Sequence, residues 1–225
     1  MPFGEALARR RCGLMLGTMP TPGQIVRRLL GPAFPPVGEA YRRIFVDMAR
    51  VADWMASRLP ENARVLDVGG GDGYAVQLLL NRRNDIAVTM TDVAANVGSF
   101  IRADCAHRVT LQPATDAATL SGPFDAITLA DVVHHVPVAQ REGFLAMLGE
   151  LGTRCGARRI IVKDIRPQGL RAWLALVSDL YVTGDRTVVQ LPEEAMVLPG
   201  WTCVETAMPD FPNYCLAFEP SHQRQ

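Results

Sequence analysis

A glycine-rich turn joins a short apolar run to a predicted helix. It reads Asp67-Val68-Gly69-Gly70-Gly71-Asp72-Gly73. Its glycines let the backbone turn sharply and let a ligand approach closely, because no Cβ stands in the way. The helix that follows presents free amide groups and a partial positive charge at its N-terminus, which suit a carboxylate or a phosphate. The turn therefore predicts a ligand-binding site, although a glycine-rich turn alone fits several nucleotides.

Two acidic residues narrow the kind of ligand. Asp67 lies directly before the glycines, where it would repel a pyrophosphate and attract an ammonium group. Asp92 ends the next predicted strand, at the position where an acidic side chain binds ribose hydroxyls. Tyr74 stands where a dinucleotide-binding GxGxxG motif has its third glycine. The ligand implied has a ribose, an adenine and an amino-acid end, and it needs no phosphate.

These residues need a sheet that brings the ends of several strands together, and the sequence predicts one. From residue 63 onward, short apolar runs alternate with segments of helical periodicity. The predicted strands are Arg64–Val68, Ile86–Thr91, Arg108–Gln112, Phe124–Ala130, Arg159–Lys163, Thr202–Met208 and Asn213–Phe218. The predicted helices are Gln24–Leu30, Glu39–Arg58, Tyr74–Asn81, Gly98–Asp104, Ala139–Gly149, Leu170–Val182 and Pro192–Leu198.

This order predicts an α/β fold with a Rossmann-like seven-stranded sheet. The sheet would be mostly parallel, with a C-terminal antiparallel hairpin and helices on both faces. Ligands bind beyond the carboxyl ends of such strands, where the strand order reverses. We interpret residues 1–37 as an N-terminal extension or lid, and residues 38–225 as one domain with a helical insertion at about 165–198.

Composition favours a folded protein and disfavours some partners. Hydrophobic residues make up 48% of the 225 residues and charged residues 20%, which allows a packed core. Lysine plus arginine equal aspartate plus glutamate at 23 each, so charge gives no reason to expect a nucleic-acid partner. No apolar run reaches the roughly 18 residues that span a membrane.

The cysteines and the N-terminus favour a cytoplasmic location. The number of cysteines is odd and no pair has CxxC spacing, so neither a disulfide framework nor a zinc site is indicated. They are Cys12, Cys105, Cys155, Cys203 and Cys215. Free thiols suit a reducing compartment. Residues 9–17 resemble a signal peptide faintly, but their apolar stretch is short and no clear cleavage site follows.

Several motifs occur in the order typical of class I S-adenosylmethionine-dependent methyltransferases, which the sequence resembles over about residues 60–218. Residues 65–73 are similar to the first motif of that family, and Asp92 to its ribose-binding acid. Residues 113–117 resemble the loop after the third strand, where Asp116 would approach the adenine amino group. Residues 124–136 are similar to the fourth-strand motif. Residues 160–164 and 199–205 match the fifth strand and the approach to the sixth.

The resemblance implies S-adenosyl-L-methionine as cofactor and methyl transfer to a small organic acceptor. The cofactor-binding residues that it implies are Asp67, Gly69, Gly70, Gly71, Asp92, Val93, Asp116, Ala130 and Asp131. O-methylation is slightly favoured over N- or C-methylation. Secondary metabolism is favoured because the glycine variant and the helices after the fifth strand look like those of small-molecule members.

Other functions of the same fold stay open at this point. The chain could use bound S-adenosylmethionine for chemistry other than methyl transfer, or it could be a non-catalytic binding module. A nucleic-acid methyltransferase is disfavoured, because Ala130-Asp131-Val132-Val133 stands where an Asn/Asp-Pro-Pro-Tyr/Phe signature would follow the fourth strand. A homodimer is left open.

Two adjacent histidines mark where the chemistry would occur. Methyl transfer is an in-line displacement from an activated sulfonium, so the enzyme mainly positions the acceptor and excludes water. A hydroxyl acceptor needs a general base, and His134 and His135 follow the fourth strand at the edge that faces the methyl group. Relatives often use such a pair structurally, and the sequence does not distinguish the two residues.

We expect no metal site. For Lys163 and Asp164, at the end of the fifth strand, a salt bridge or a cap is the simpler interpretation.

Overall fold

The alternating apolar runs form one mixed sheet with helices on both faces, as the sequence predicts. The computed structural model describes residues 46–180 and 187–221. Its helices are α1 (Met48–Ala56), α2 (Tyr74–Arg82), α3 (Val138–Cys155) and α4 (Leu170–Ser178). Its strands are β1 (Arg64–Val68), β2 (Ala87–Asp92), β3 (Val109–Pro113), β4 (Ala126–Ala130), β5 (Arg159–Ile165), β6 (Trp201–Asp210) and β7 (Asn213–Pro220).

The strand order determines where a crevice forms at the edge of the sheet. It runs β3-β2-β1-β4-β5-β7-β6, with β1 to β5 parallel and β7 antiparallel to both β5 and β6. Consecutive strands extend from β1 toward β3 on one side, and the chain then crosses back to add β4 on the other side. This reversal between β1 and β4 opens a crevice at the carboxyl ends of the strands.

Two apolar cores hold the helices against the sheet. On one face, α1 and α2 pack on Val65, Val88 and Met90. On the other face, α3 packs on the alternate side chains of the central strands, Leu66 and Ile127 among them. The central strands are buried on both sides, which explains why they are continuous apolar runs in the sequence.

Helix α3 is longer than the sequence predicts, because two of its glycines contact a tryptophan. The prediction ends at Gly149, but the helix continues to Cys155 and is closed by Gly156 with a φ of 71°. A Cβ on Gly152 would lie 2.6 Å from the Trp201 ring. The Trp201 indole N–H donates to the carbonyl of Gly149 at 2.9 Å. These glycines therefore make room for a ring instead of ending the helix.

Two predicted helices are wrong. Residues 98–104 form turns, because several of their N–H groups bond outside the segment: Gly98 donates to the Gly71 carbonyl at 3.0 Å, and Arg102 donates to the Gln77 side chain at 2.7 Å. The predicted helix Pro192–Leu198 is only a 3-10 turn at Glu193–Ala195. Pro192 precedes this turn, and Met196 leaves the helical conformation with a ψ of 81°.

Some predictions fall outside the described residues. They are the helix Gln24–Leu30, the extension 1–37, and the parts of the helices Glu39–Arg58 and Leu170–Val182 that precede residue 46 or follow residue 180. Among the described helices, none has the length and apolar character needed to cross a membrane.

Candidate active site

The glycine turn lies against the end of β2. The N–H groups of Gly69 and Gly70 both donate to the Thr91 carbonyl, at 2.8 and 3.1 Å. Gly69 and Gly71 have φ values of 72° and 52°, which favour glycine. A Cβ on Gly70 would lie 2.5 Å from an Asp67 carboxylate oxygen and 2.7 Å from the Met90 methyl carbon. The turn is therefore a close-fitting backbone cradle between two strand ends.

Asp67 lies beneath this cradle. It is 4% exposed, and its carboxylate accepts a hydrogen bond from the Thr128 hydroxyl at 2.6 Å. Burial raises the pKa of Asp67 to about 6; the bond from Thr128 opposes the rise and the charge of Asp92 adds to it. Asp67 is not among the residues that line the crevice.

Asp92 stands at the end of β2 and lines the crevice together with Val93. Its two carboxylate oxygens accept the N–H groups of Gly71 at 2.9 Å and of Ala94 at 2.8 Å. Each oxygen of a carboxylate can accept a second hydrogen bond. The backbone thus fixes the orientation of Asp92 and leaves it able to accept from a ligand's hydroxyl groups.

Asp116 begins the 3-10 turn Ala117–Thr119 that follows β3. It accepts the Ala118 N–H at 2.9 Å, as a capping residue does. Thr115, Asp116 and Ala117 all line the crevice. Asp116, which the sequence predicts as a cofactor-binding residue, therefore lines the same crevice as Asp92.

The opposite wall comes from the end of β4 and from α3. It contains Asp131, Val132, His135, Val136, Phe144 and Met147. Asp131 has a φ of 59°, an uncommon left-handed conformation for an aspartate. Its carboxylate lies 2.5 Å from the Lys163 ammonium. Gly70, Gly71 and Ala130 do not line the crevice, although Gly70 and Ala130 are next in sequence to the lining residues Gly69 and Asp131.

The two histidines have different surroundings, although they are adjacent on the 3-10 turn Val133–His135. His134 is 2% exposed; its Nδ1 lies 2.5 Å from an oxygen of the fully buried Asp164, and its Nε2 lies 3.8 Å from Asp179. His135 is half-buried and lines the crevice. The two rings lie 4.2 Å apart between centroids.

The environment of His134 favours its charged form. Burial lowers the pKa of His134, but the charge of Asp164 and its hydrogen bond outweigh burial, and Asp131 and Asp179 add to the effect. Together they raise the pKa to about 9. Conversely, burial raises the pKa of Asp164, and His134 more than reverses this, so that the pKa lies below its usual value. His134 and Asp164 thus form a buried ion pair next to His135.

A sequence comparison decides the family. The profile of the family described as "Methyltransferase domain" matches residues 40–152, which contain the glycine turn, Asp92, Asp116 and both histidines. The chain belongs to this methyltransferase family. No curated protein sequence matches the enzyme significantly.

Comparison with solved structures shows that the chain has the fold of class I S-adenosylmethionine-dependent methyltransferases. Over 86% of the enzyme, the mitomycin 7-O-methyltransferase is 17% identical with a TM-score of 0.59, and the match covers 60% of that longer chain. TnmH is 24% identical over 96% of the enzyme and 69% of its own length, with a TM-score of 0.58. The magnesium protoporphyrin IX methyltransferase of Synechocystis PCC 6803, with bound S-adenosylhomocysteine, is 18% identical over 87% of the enzyme and all of its own length, with a TM-score of 0.54.

Sequence reasoning did not identify every residue that lines the crevice or supports it. Phe144 and Met147 lie on α3 and line the crevice, yet in the sequence they look like ordinary core residues of an amphipathic helix. Arg141 on the same helix is buried; it donates to the carbonyls of Val136 at 3.0 Å and His134 at 3.3 Å, and also to that of Val189. Arg141 thus connects the histidine turn to the segment after residue 187.

Proposed function

We propose that the enzyme transfers a methyl group from S-adenosyl-L-methionine to a small organic acceptor, with oxygen favoured over nitrogen or carbon. We place it in secondary metabolism. The observation that carries the proposal is the crevice at the carboxyl ends of β1 to β4, with the backbone-oriented Asp92 on one wall and His135 on the other. Bound S-adenosylmethionine would supply the methyl group on its sulfonium.

The residues present fit the adenosine part of this cofactor. Asp92 can accept hydrogen bonds from two ribose hydroxyls, and Val93 offers an apolar side chain beside it. Asp116 and Ala117 would lie at the adenine. The absent Cβ atoms of Gly69 and Gly70 let the turn pack closely against Val132 and Met90, so that its backbone lies beside the crevice.

The other wall fits a small acceptor. Val132, Val136, Phe144 and Met147 give it an apolar surface, and His135 provides a polar group there. His135 would accept the proton of an acceptor hydroxyl as the methyl group is transferred. The buried His134, already paired with Asp164, would keep the histidine turn in place rather than contact the acceptor.

Names of similar structures support the choice of acceptor class. They include the mitomycin 7-O-methyltransferase, a methyltransferase in calicheamicin biosynthesis, and an O-methyltransferase family 2 protein in complex with apigenin.

The described cysteines form no disulfide, in keeping with the cytoplasmic location that we expect. A metal-free reaction also stays a prediction. His134, His135 and Asp179 bring ligand atoms within 4.8 Å of one another, but both ring nitrogens of His134 already face carboxylates, those of Asp164 and Asp179.

Transfer of isotope-labelled methyl groups tests the proposal. The enzyme would be given labelled S-adenosylmethionine with matched sets of small aromatic hydroxyl compounds, amines and carbon nucleophiles, and separately with DNA, RNA and protein. We expect label in methyl ethers of the hydroxyl set. Label only in amine or carbon products would contradict the preference for oxygen, and label only in a polymer would contradict the small acceptor.

A further inference from the structure

Lys163 is unusual in both sequence and position. It is the only lysine of the chain, since the other 22 of the 23 basic residues are arginines. It is 1% exposed, whereas lysine is almost never fully buried unless it is paired. A lysine ammonium is compact, and an arginine guanidinium is a wide planar fork. The single lysine thus occupies a buried position that suits a compact cation better than a guanidinium.

Lys163 holds Asp131 at two points. Its ammonium lies 2.5 Å from a carboxylate oxygen of Asp131, and its carbonyl accepts the Asp131 backbone N–H at 3.0 Å. The Asp131 φ of 59° costs free energy for a residue with a Cβ, so the surroundings must hold it. The Asp131 side chain nevertheless remains 36% exposed and lines the crevice. Lys163 therefore fixes an acid that faces the ligand while being itself out of its reach.

The strand order indicates which part of the cofactor Asp131 would meet. Asp116 follows β3 and Asp92 ends β2, so adenine and ribose would occupy that side of the crevice. The rest of the ligand then extends across β1 toward β4, in the order β3-β2-β1-β4. Asp131 directly follows β4 and is the acidic residue that lines the crevice on this side.

Asp67 is less well placed for the same task. Its carboxylate is 4% exposed and one oxygen lies 2.5 Å from the position that a Gly70 Cβ would occupy. The glycine turn therefore separates Asp67 from the crevice. A ligand's ammonium group would meet Asp131 directly, whereas it would meet Asp67 only through the turn.

We propose that Lys163 is a positioning residue that holds the Asp131 carboxylate in place to bind the ammonium group at the amino-acid end of the cofactor. This rests on the proposed function, because it takes S-adenosylmethionine as the ligand. Asp131 would bind this group and Lys163 would act only through Asp131. Asp131, rather than Asp67, would then bind the ammonium group.

Two ligands distinguish the proposed positioning role of Lys163 from a merely structural one. S-adenosylhomocysteine carries the amino-acid end, and 5′-methylthioadenosine has the same adenosine and sulfur without it. Calorimetry would measure both with the wild type, Lys163→Met and Asp131→Asn. We expect each variant to bind S-adenosylhomocysteine roughly tenfold more weakly and 5′-methylthioadenosine as the wild type does. Arg159→Met is the matched control, because it removes an ion pair with Glu219 at the other end of β5.

The outcomes are distinguishable. Weaker binding of both ligands by the two variants would overturn the proposal in favour of a structural role. Unchanged binding of S-adenosylhomocysteine by either folded variant would overturn it as well. If the wild type binds neither ligand, the proposed function itself fails.

The single lysine also allows a test without any substitution. In wild-type protein labelled with carbon-13 lysine, one lysine spin system reports on Lys163 alone. We expect its Cε resonance to shift when S-adenosylhomocysteine is added and to stay in place with 5′-methylthioadenosine. Equal shifts with both ligands, or no shift with S-adenosylhomocysteine, would contradict the proposal even if Lys163→Met did not fold.

Discussion

At the residue scale, Asp92 is the side chain on which the proposed cofactor site most depends. Asp92→Ala removes the proposed acceptor of the ribose hydroxyls and the hydrogen bonds from the N–H groups of Gly71 and Ala94. We expect S-adenosylmethionine to bind about 1–3 kcal/mol more weakly, because buried polar groups lose their partner. Calorimetry measures this. The control is Asp104→Ala, since Asp104 is exposed and pairs with the exposed Arg102; an equal loss in both variants would count against a ribose contact.

The two histidines should respond differently to replacement. His135→Ala removes the proposed base, so we expect turnover of a hydroxyl acceptor to fall about 10²- to 10⁴-fold with cofactor affinity unchanged. His134→Ala leaves the Asp164 charge buried without its partner, which should cost about 3–5 kcal/mol of unfolding free energy. His107→Ala, at an exposed histidine, is the control. Unchanged turnover in His135→Ala would exclude a base role for that residue.

The His134–Asp164 pair also predicts how stability depends on pH. The pKa of His134 is about 9 in the folded chain and about 6.5 when unfolded, so the folded state binds the proton more tightly. Its contribution is complete below about pH 6.5 and is lost as pH rises through 9. We expect the unfolding free energy to fall by roughly 3 kcal/mol over this interval. Urea denaturation measures it, and His134→Gln should show a much flatter profile; equal slopes would refute the assignment.

At the element scale, the glycine turn works through close packing against two strands. Gly70→Ala places a Cβ at 2.5 Å from Asp67 and 2.7 Å from Met90, although the φ of Gly70 is not left-handed. We expect the turn to shift and cofactor affinity to fall at least tenfold, a loss of about 1.4 kcal/mol. Binding and thermal unfolding would both be measured.

A second glycine variant separates crowding from backbone strain. Gly200→Ala strains a φ of 80° but places its Cβ in open space. It should lower stability without weakening cofactor binding. If Gly200→Ala weakened binding as much as Gly70→Ala does, general destabilisation rather than the shape of the turn would be responsible.

The elements that the sequence predicts well are those with a strong local pattern. All seven strands are found within about two residues of their predicted bounds, because apolar runs and turn residues mark them. The sequence does not predict the turns of residues 98–104, because several of their N–H groups bond to the glycine turn and to Gln77, which are distant in sequence. Helix α3 was predicted too short because a glycine that stops a helix looks the same as one that contacts Trp201.

The site shows the same division between local and distant information. The sequence places Asp92, Asp116, Asp131 and His135 at strand ends, and the structure brings them to one crevice. The sequence does not reveal which of the two neighbouring histidines is buried and which lines the crevice, because that depends on Asp164 thirty residues away. Nor does it show that Asp67 lies below the turn, since this follows from its bond to Thr128.

At the scale of the whole molecule, family and fold agree with a methyl-transfer enzyme. The family profile covers residues 40–152, the half of the chain that carries the glycine turn and the histidines. The remaining half adds β5, α4 and the hairpin of β6 and β7, which complete the seven-stranded sheet. The balanced charge of the chain agrees with a small acceptor rather than a nucleic-acid backbone.

Direct binding of the cofactor tests the central claim most simply. Calorimetry would titrate the wild-type chain with S-adenosylmethionine and with S-adenosylhomocysteine, using ATP as a ligand that shares adenosine but replaces the amino-acid end with phosphates. The crevice, with its acids at Asp92 and Asp131, predicts that both sulfur ligands bind and ATP does not. No binding of either sulfur ligand at millimolar concentration, or tighter binding of ATP, would contradict the account.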